Sequence, residues 1–397
     1  MKKLILSLFV ASTLFQSCSN DDDGSNEPTV QAPETYAFTR NGNSTVSFDG
    51  QTTRIKMADE VVSALKVNTT TEFEISSMFS HIEGGDDFSE VDLNASNKNV
   101  RSKVAASSDY FSDNSTDANA IKADFDGWIA SQVNEVFPNW DAIASAGNAG
   151  ALQQLSGSIR YLNAKGLEYN QAFAKGLIGG LMIDQILNNY LSTSVLDAGD
   201  NVANNDDEVL ESGKNYTTME HKWDEAYGYL YGSELDPAVP VLDADQFLGE
   251  YLDRVNADED FAGIADAIYQ AFKLGRAAIT ESEYTVRDKQ VKIIRDNISL
   301  IPAVRGVYYL QAGKSKLEAD PASAFHALSE AYGFIYSLQF TRDTKNNAPY
   351  FTKAEVDTML ATLMEGNGFW DVSADTLDEI SDEISVKFGF TTEAAAN

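Results

Sequence analysis

The residues of this chain best suited to chemistry occur twice. His221-Lys-Trp-Asp-Glu-Ala-Tyr-Gly-Tyr-Leu-Tyr231 returns as His326-Ala-Leu-Ser-Glu-Ala-Tyr-Gly-Phe-Ile-Tyr336, 105 residues later, and the two copies hold two of the three histidines. Side chains four apart on a helix share a face, so His221 stands over Glu225 and His326 over Glu330. Imidazole and carboxylate so placed can hydrogen-bond each other or share a metal ion. Gly228 and Gly333 let a neighbouring helix approach and bury each pair, and a buried pair must find partners. The structural reading is a polar network closing a bundle centre, with Tyr227, Tyr231, Tyr332 and Tyr336 as core. The functional reading is a metal or small-ligand site at His221, Glu225, Asp224 and Glu220, with His326 and Glu330 as its pseudo-equivalent structural pair. Trp223, Asp224 and Glu220 favour the first copy because they add polar and aromatic chemistry beside the histidine. Zinc or iron normally takes at least three protein ligands, and one H-x-x-x-E supplies two. Another helix must then contribute; Glu168, Asp184 and Asp266 are candidates without any spacing signal.

Other chemistries lack their residues. Neither copy is the H-E-x-x-H of a thermolysin-like peptidase, and no G-x-S-x-G occurs. No catalytic residue is assigned. Gly176, Gly179 and Gly180 lie in an apolar helical stretch with no preceding strand, so they form no phosphate loop; close approach of another helix explains them better. The Asp/Asn-rich 197–208 stretch lacks EF-hand spacing and reads as a solvated loop. His81, in the loop-like Phe79-Ser-His-Ile-Glu-Gly-Gly85, reads as exposed and inert.

The elements that must position these residues are almost all helical. Residues 36–56 alternate around Asn41-Gly42 and Asp49-Gly50, which predicts turns and a short hairpin or extended arm. A first helix is expected over 55–66 and a short one over 72–79, in a largely looped region reaching residue 119. From Ile121 apolar residues recur at helical spacing, break at Pro138 and resume over 150–167. Helices are predicted over 169–190, 217–231, 244–255, 261–280, 285–311 (with Pro302 kinking it), 323–340, 353–363 and 374–388. A second echo, Gln171-Ala-Phe173 with Gly176 against Gln270-Ala-Phe272 with Gly275, keeps the order of the first and points to an internal repeat. The expectation is an all-α fold, a tandem duplication of two four-helix bundles over 121–240 and 241–397. It is preceded by an N-terminal arm, first helix and loops over 36–120, with strands confined to the arm.

The N-terminus reads as an export signal. Lys2 and Lys3 precede an apolar run over 4–15, too short to cross a bilayer but suited to a signal peptide spanning 1–17. Leu14-Phe-Gln-Ser-Cys18 resembles the cleavage and lipidation signal of bacterial lipoproteins, which implies acylation of Cys18, the only cysteine. Residues 18–35 follow as a flexible tether. Several acyl chains anchor firmly, so the expected partner is a lipid bilayer, reached through the acylated N-terminus. Ser19 and the acidic run 21–23 resemble signals for the bacterial outer membrane and its surface. With 61 acidic against 29 basic residues and a net charge of -32, the body repels nucleic acid and anionic lipid.

Lipidated Cys18, the opening Thr35-Tyr-Ala-Phe-Thr-Arg-Asn-Gly42 with Ser44-Thr-Val-Ser-Phe-Asp-Gly-Gln-Thr52, and the doubled His-x-x-x-Glu-Ala-Tyr-Gly segment together resemble the domain-of-unknown-function family 4856 (DUF4856). Those are Bacteroidetes lipoproteins without an assigned activity. That family is similar, more distantly, to the imelysin-like proteins, envelope proteins of two four-helix bundles in tandem. Imelysins carry G-x-H-x-x-E, are associated with iron or haem uptake, and have been classed with metallopeptidases. At His221 this chain has Met219 for the glycine and Asp224 for the glutamate; at His326 it has Ala324 and Ser329. Export, anchoring and the repeated polar pairs point to a lipid-anchored envelope protein that binds a ligand without catalysing a reaction, with an envelope protein or an iron-related ligand as its partner. A metal-dependent peptidase or hydrolase, using iron or zinc, is the first rival; a non-catalytic interaction or scaffold protein is the second.

Overall fold

The computed structural model describes residues 30–242 and 244–397. The expected signal peptide, Cys18 and most of the tether lie outside the described residues. The described chain opens with a hairpin, β1 (Thr39–Arg40) and β2 (Asn43–Ser44), in which Thr39 faces Ser44 and Arg40 faces Asn43. Asn41 and Gly42 turn the corner at φ 52° and 80°, the left-handed pair that a two-residue type I′ loop requires. Helix α1 (Asp49–Ala64) buries Ile55, Ala58, Val61 and Val62 along one stripe. Helix α2 (Glu72–Phe79) starts on a capping box between Thr71 and Glu74. Two single turns, α3 (Val91–Asn94) and α4 (Ser108–Phe111), lead to α5 (Ser115–Ser131), capped by Asn114.

A second hairpin, β3 (Gly150–Gln153) and β4 (Ile159–Leu162), precedes α6 (Tyr169–Leu177), which runs on through π-helical turns Ile178–Ile183 and Ile186–Tyr190. After short α7 (Thr193–Leu196) and α8 (Asn201–Asp206), α9 (Thr218–Tyr231) carries the first motif copy. Helices α10 (Leu248–Asn256) and α11 (Ile264–Thr280) follow, then α12 (Tyr284–Lys314), 31 residues unbroken through Pro302. Helix α13 (Pro321–Ser337) carries the second copy, and α14 (Lys353–Leu363), α15 (Ala374–Phe388) and α16 (Thr392–Ala395) close the chain. The fold is all-α and multi-helical, with two short hairpins.

Helices α12 and α13 pack along one another; α12 also takes α11 and α15, and α13 takes α6. The buried apolar residues form one continuous cluster from Tyr36 to Ala395. Close approach is visible at Gly179, where an added Cβ would fall 2.5 Å from Ser337 Cβ. The π-helical turn frees backbone groups there: Gly179 N–H donates to Ser337 Oγ at 3.1 Å, and Gly180 C=O accepts from Ala105 N–H at 2.9 Å. Among the described residues no helix is long and apolar enough to cross a membrane.

Five local expectations are corrected. Helix does not resume at 150, because Gly157, at φ 97°, turns a hairpin whose strands bring Leu152, Ile159 and Tyr161 to β positions. Strands are therefore not confined to the arm. Asp49-Gly50 is no turn but the first turn of α1. The expected 197–208 loop contains α8, whose Asn205 donates to Ile279 C=O at 2.7 Å and accepts from Thr217 Oγ1 at 2.7 Å; tertiary bonds override weak helix propensity. His81 is 3% exposed rather than solvent-facing, with Nδ1 2.6 Å from Asp87 Oδ2 and Nε2 buried without a partner. The Asn94 side chain folds that loop inward by accepting from the Asp87 and Phe88 amides.

Candidate functional site

The first motif copy is built into a clamp. Glu220 is the third residue of α9 and closes its capping box by accepting from Thr217 N–H. Its carboxylate also takes both terminal guanidinium nitrogens of Arg40, Nη1 and Nη2, at 3.0 and 3.2 Å, and Arg276 Nη1 at 2.9 Å. One turn on, fully buried Asp224 accepts from Tyr36 Oη (2.6 Å), Ser47 N–H (3.1 Å) and Arg276 Nε (3.1 Å). Arg276 adds Thr280 Oγ1 and Thr45 Oγ1 as acceptors, so every arm of its fork is used. Burial pushes the Asp224 carboxyl up to about 6 against the pull of Arg276. Tyr36 stacks on Tyr227 with centroids 3.5 Å apart. Together these contacts fasten the 36–47 arm across α9 and α11.

His221 and Glu225 stand one turn apart as their spacing dictates, but each is engaged elsewhere. His221 Nδ1 lies 3.1 Å from Ser47 C=O and its ring stacks on Tyr216. Burial moves its pKa down, only partly countered by Glu225. Glu225 accepts from Gln51 Nε2 at 3.0 Å and Lys222 Nζ at 2.7 Å; burial raises its carboxyl, and Lys222 and His221 outweigh that, leaving it below the usual range. Gly228 admits Phe48, whose Cβ an added Cβ would approach to 2.3 Å, so the close neighbour is the start of α1.

The second copy has different surroundings. His326 Nδ1 lies 2.9 Å from Glu168 Oε1, at the start of α6, and its Nε2 is 3.9 Å from Glu330. Glu330 accepts from Tyr251 Oη at 3.3 Å and pairs with Lys175 Nζ at 3.6 Å. Burial lowers the Lys175 pKa, with Glu330 opposing, and its ammonium sits 4.7 Å from the centre of the Tyr251 ring. Gly333 lets α6 come close: a Cβ there would fall 2.5 Å from Lys175 Cβ. Of the three further carboxylates considered from sequence, Glu168 alone hydrogen-bonds a motif histidine. Asp184 instead accepts the Ala106 and Ser107 amides, both at 3.0 Å, and Asp266 is exposed.

Glu168 also lines a recess of about 260 Å³ under the β3–β4 hairpin. Its wall includes Trp140, stacked on Tyr161 with centroids 3.3 Å apart. Gln132, 1% exposed, lines it too and leaves Oε1 without a partner; so does Arg160, whose Nε is unpartnered. Sequence reasoning passed over this recess because Gln132, Trp140, Tyr161 and Glu168 share no spacing; only the hairpin unites them. No group of three or more His, Cys, Asp or Glu side chains among the described residues is placed to hold a metal ion.

The family model described as Domain of unknown function (DUF4856) matches residues 33–391. The chain belongs to this family. The DUF4856 match begins just ahead of Tyr36, so the arm that locks Asp224 is part of the family domain. No curated protein and no solved structure matches the chain.

Proposed function

We propose that this DUF4856 protein is a lipid-anchored envelope protein that binds a small polar ligand in the recess beside Glu168, without catalysing a reaction. The observation that carries this is the recess itself: a buried carboxylate held by His326, an amide oxygen and a guanidinium N–H with no protein partner, and an aromatic wall. Such a set suits a ligand bearing both donors and acceptors. The first copy, with Glu220 and Asp224 committed to Arg40 and Arg276, serves the fold.

Anchoring through acylated Cys18 and residence at the outer membrane belong to the same reading and rest on the sequence. So do the imelysin-like ancestry, the link to iron, and the tandem duplication. The last is supported by the two repeated segments, and the unlike partners of His221 and His326 are its record of divergence. Among the described residues no set of three or more metal-ligating side chains surrounds either histidine.

Elemental analysis tests the reading against its metal-dependent rival. The purified chain is incubated with iron, zinc or calcium beside His221→Ala/Glu225→Ala and His326→Ala/Glu330→Ala variants. Substoichiometric metal in all three is expected. One equivalent of transition metal, lost with either pair and accompanied by peptide hydrolysis, would replace binding with catalysis.

A further inference from the structure

Five arginines among the described residues are more than nine-tenths buried: Arg54, Arg276, Arg287, Arg305 and Arg342. Four are conventionally satisfied. Arg54 donates to the Gly50 and Asn99 carbonyls, Arg276 to Glu220 and Asp224, Arg287 to Asp197, and Arg342 pairs with Asp109. Arg305 pairs with no carboxylate and its Nε is buried without a partner; the Tyr309 hydroxyl is the neutral group in hydrogen-bonding reach of its fork. Arg305 is held instead by rings, with Tyr308, Tyr309 and Tyr251 centroids 4.0, 4.7 and 5.7 Å from the guanidinium carbon. A charge taken from water without a counter-ion is costly, and 61 acidic residues offered evolution many partners. The aromatic grip fixes the fork, and with no carboxylate to claim it, donors remain for something else.

That something else has room. Arg305, Tyr308 and Tyr309 line a cleft of about 660 Å³ between α12, α10 and the turn at 257–260, a small-molecule volume. The remaining charge in its wall is mostly acidic: Glu250, Asp258, Glu259 and Asp260, with Arg254 already 3.5 Å from Glu250. A guanidinium fork matches a carboxylate in two parallel bonds, while the rim repels a multiply charged anion and attracts a cation. We propose that this cleft is a separate binding site for a small zwitterion, an amino acid or peptide terminus, whose carboxylate is taken by Arg305 and whose ammonium faces the acidic rim.

Calorimetric titration of the purified full chain tests this with four probes: an alanine dipeptide, its N-acetyl form, its C-terminal amide, and inorganic phosphate. Saturable binding of the free dipeptide is expected, with at least tenfold weaker binding of the amide and the acetylated form. Arg305→Gln should abolish binding, and Arg305→Lys, which keeps charge but not the fork, should weaken it about tenfold. Should the Arg305 variants fail to fold, Glu259→Gln with Asp260→Asn, both exposed, decides. It should weaken the dipeptide severalfold and leave the acetylated probe unchanged. No saturable binding, an amide as tight as the free acid, or phosphate as tight as the dipeptide would each overturn the proposal. Glu168→Gln should leave these titrations unaltered, so this site and the recess can fail separately.

Discussion

Replacing Arg276 by Met probes the clamp at its centre. The substitution preserves much of the side-chain volume and removes four hydrogen bonds, two of them to buried carboxylates, Glu220 and Asp224. Bonds to charged groups contribute roughly 1.5–3 kcal/mol each. Breaking a buried pair by removing one partner costs roughly 3–5 kcal/mol. Glu220 retains both terminal nitrogens of Arg40, which limits the damage on that side, whereas Asp224 keeps only neutral donors. A loss of about 4 kcal/mol is expected, close to a thousandfold in the folding equilibrium. Urea unfolding followed by circular dichroism measures it, and hydrogen exchange should show residues 36–47 opening first. Asp224→Asn added to Arg276→Met should restore roughly 1–2 kcal/mol, because it neutralises the stranded charge. A single-variant loss below about 1 kcal/mol, or a double variant weaker than the single, would refute the idea that this ion cluster holds the arm.

Other consequences are equally specific. Burial raises the Asp184 carboxyl from its ordinary value to about 6, opposed by the Ser107 and Ala106 donors. The folded state therefore holds this proton more tightly than the unfolded chain, and the stability it lends below about pH 4 is lost as pH rises through 6. Asp184→Asn should gain on the wild type by on the order of 1–2 kcal/mol between pH 4 and 7 in parallel urea titrations; a constant difference would contradict this. Gly179→Ala drives a Cβ into Ser337 and should cost roughly 1–3 kcal/mol, while exposed helical Gly127, with nothing within 4 Å of an added Cβ, should gain up to about 1 kcal/mol on the same change. Thermal melts of the two variants should move in opposite directions. Cys18→Ser should shift the protein from the membrane to the soluble fraction; retention in the membrane would refute acyl anchoring.

The helical body was readable because its signals are local. Apolar spacing marked α6, α9, α11 and α13, and capping pairs such as Thr352 with Glu355 fixed where helices begin. The Asn41-Gly42 hairpin was legible for the same reason. Legibility failed where tertiary contacts decide. Asn205 makes a helix of an acidic stretch through bonds to Ile279 and Thr217, and Asn94 folds His81 inward. The site failed in the same way. Asp224 and Glu220 were conspicuous beside His221, yet Arg40 and Arg276, far away in sequence, claim both. Glu168 was one of three carboxylates without a distinguishing signal, and only the packing of α6 on α13 brings it to His326.

Native mass spectrometry of the chain isolated from the cells that make it tests the central claim most directly, beside Glu168→Gln and His221→Ala variants. The account predicts a small organic molecule bound one to one in the wild type and in His221→Ala, and absent from Glu168→Gln. A transition metal in place of that mass, or an adduct that survives Glu168→Gln and disappears with His221→Ala, would contradict it.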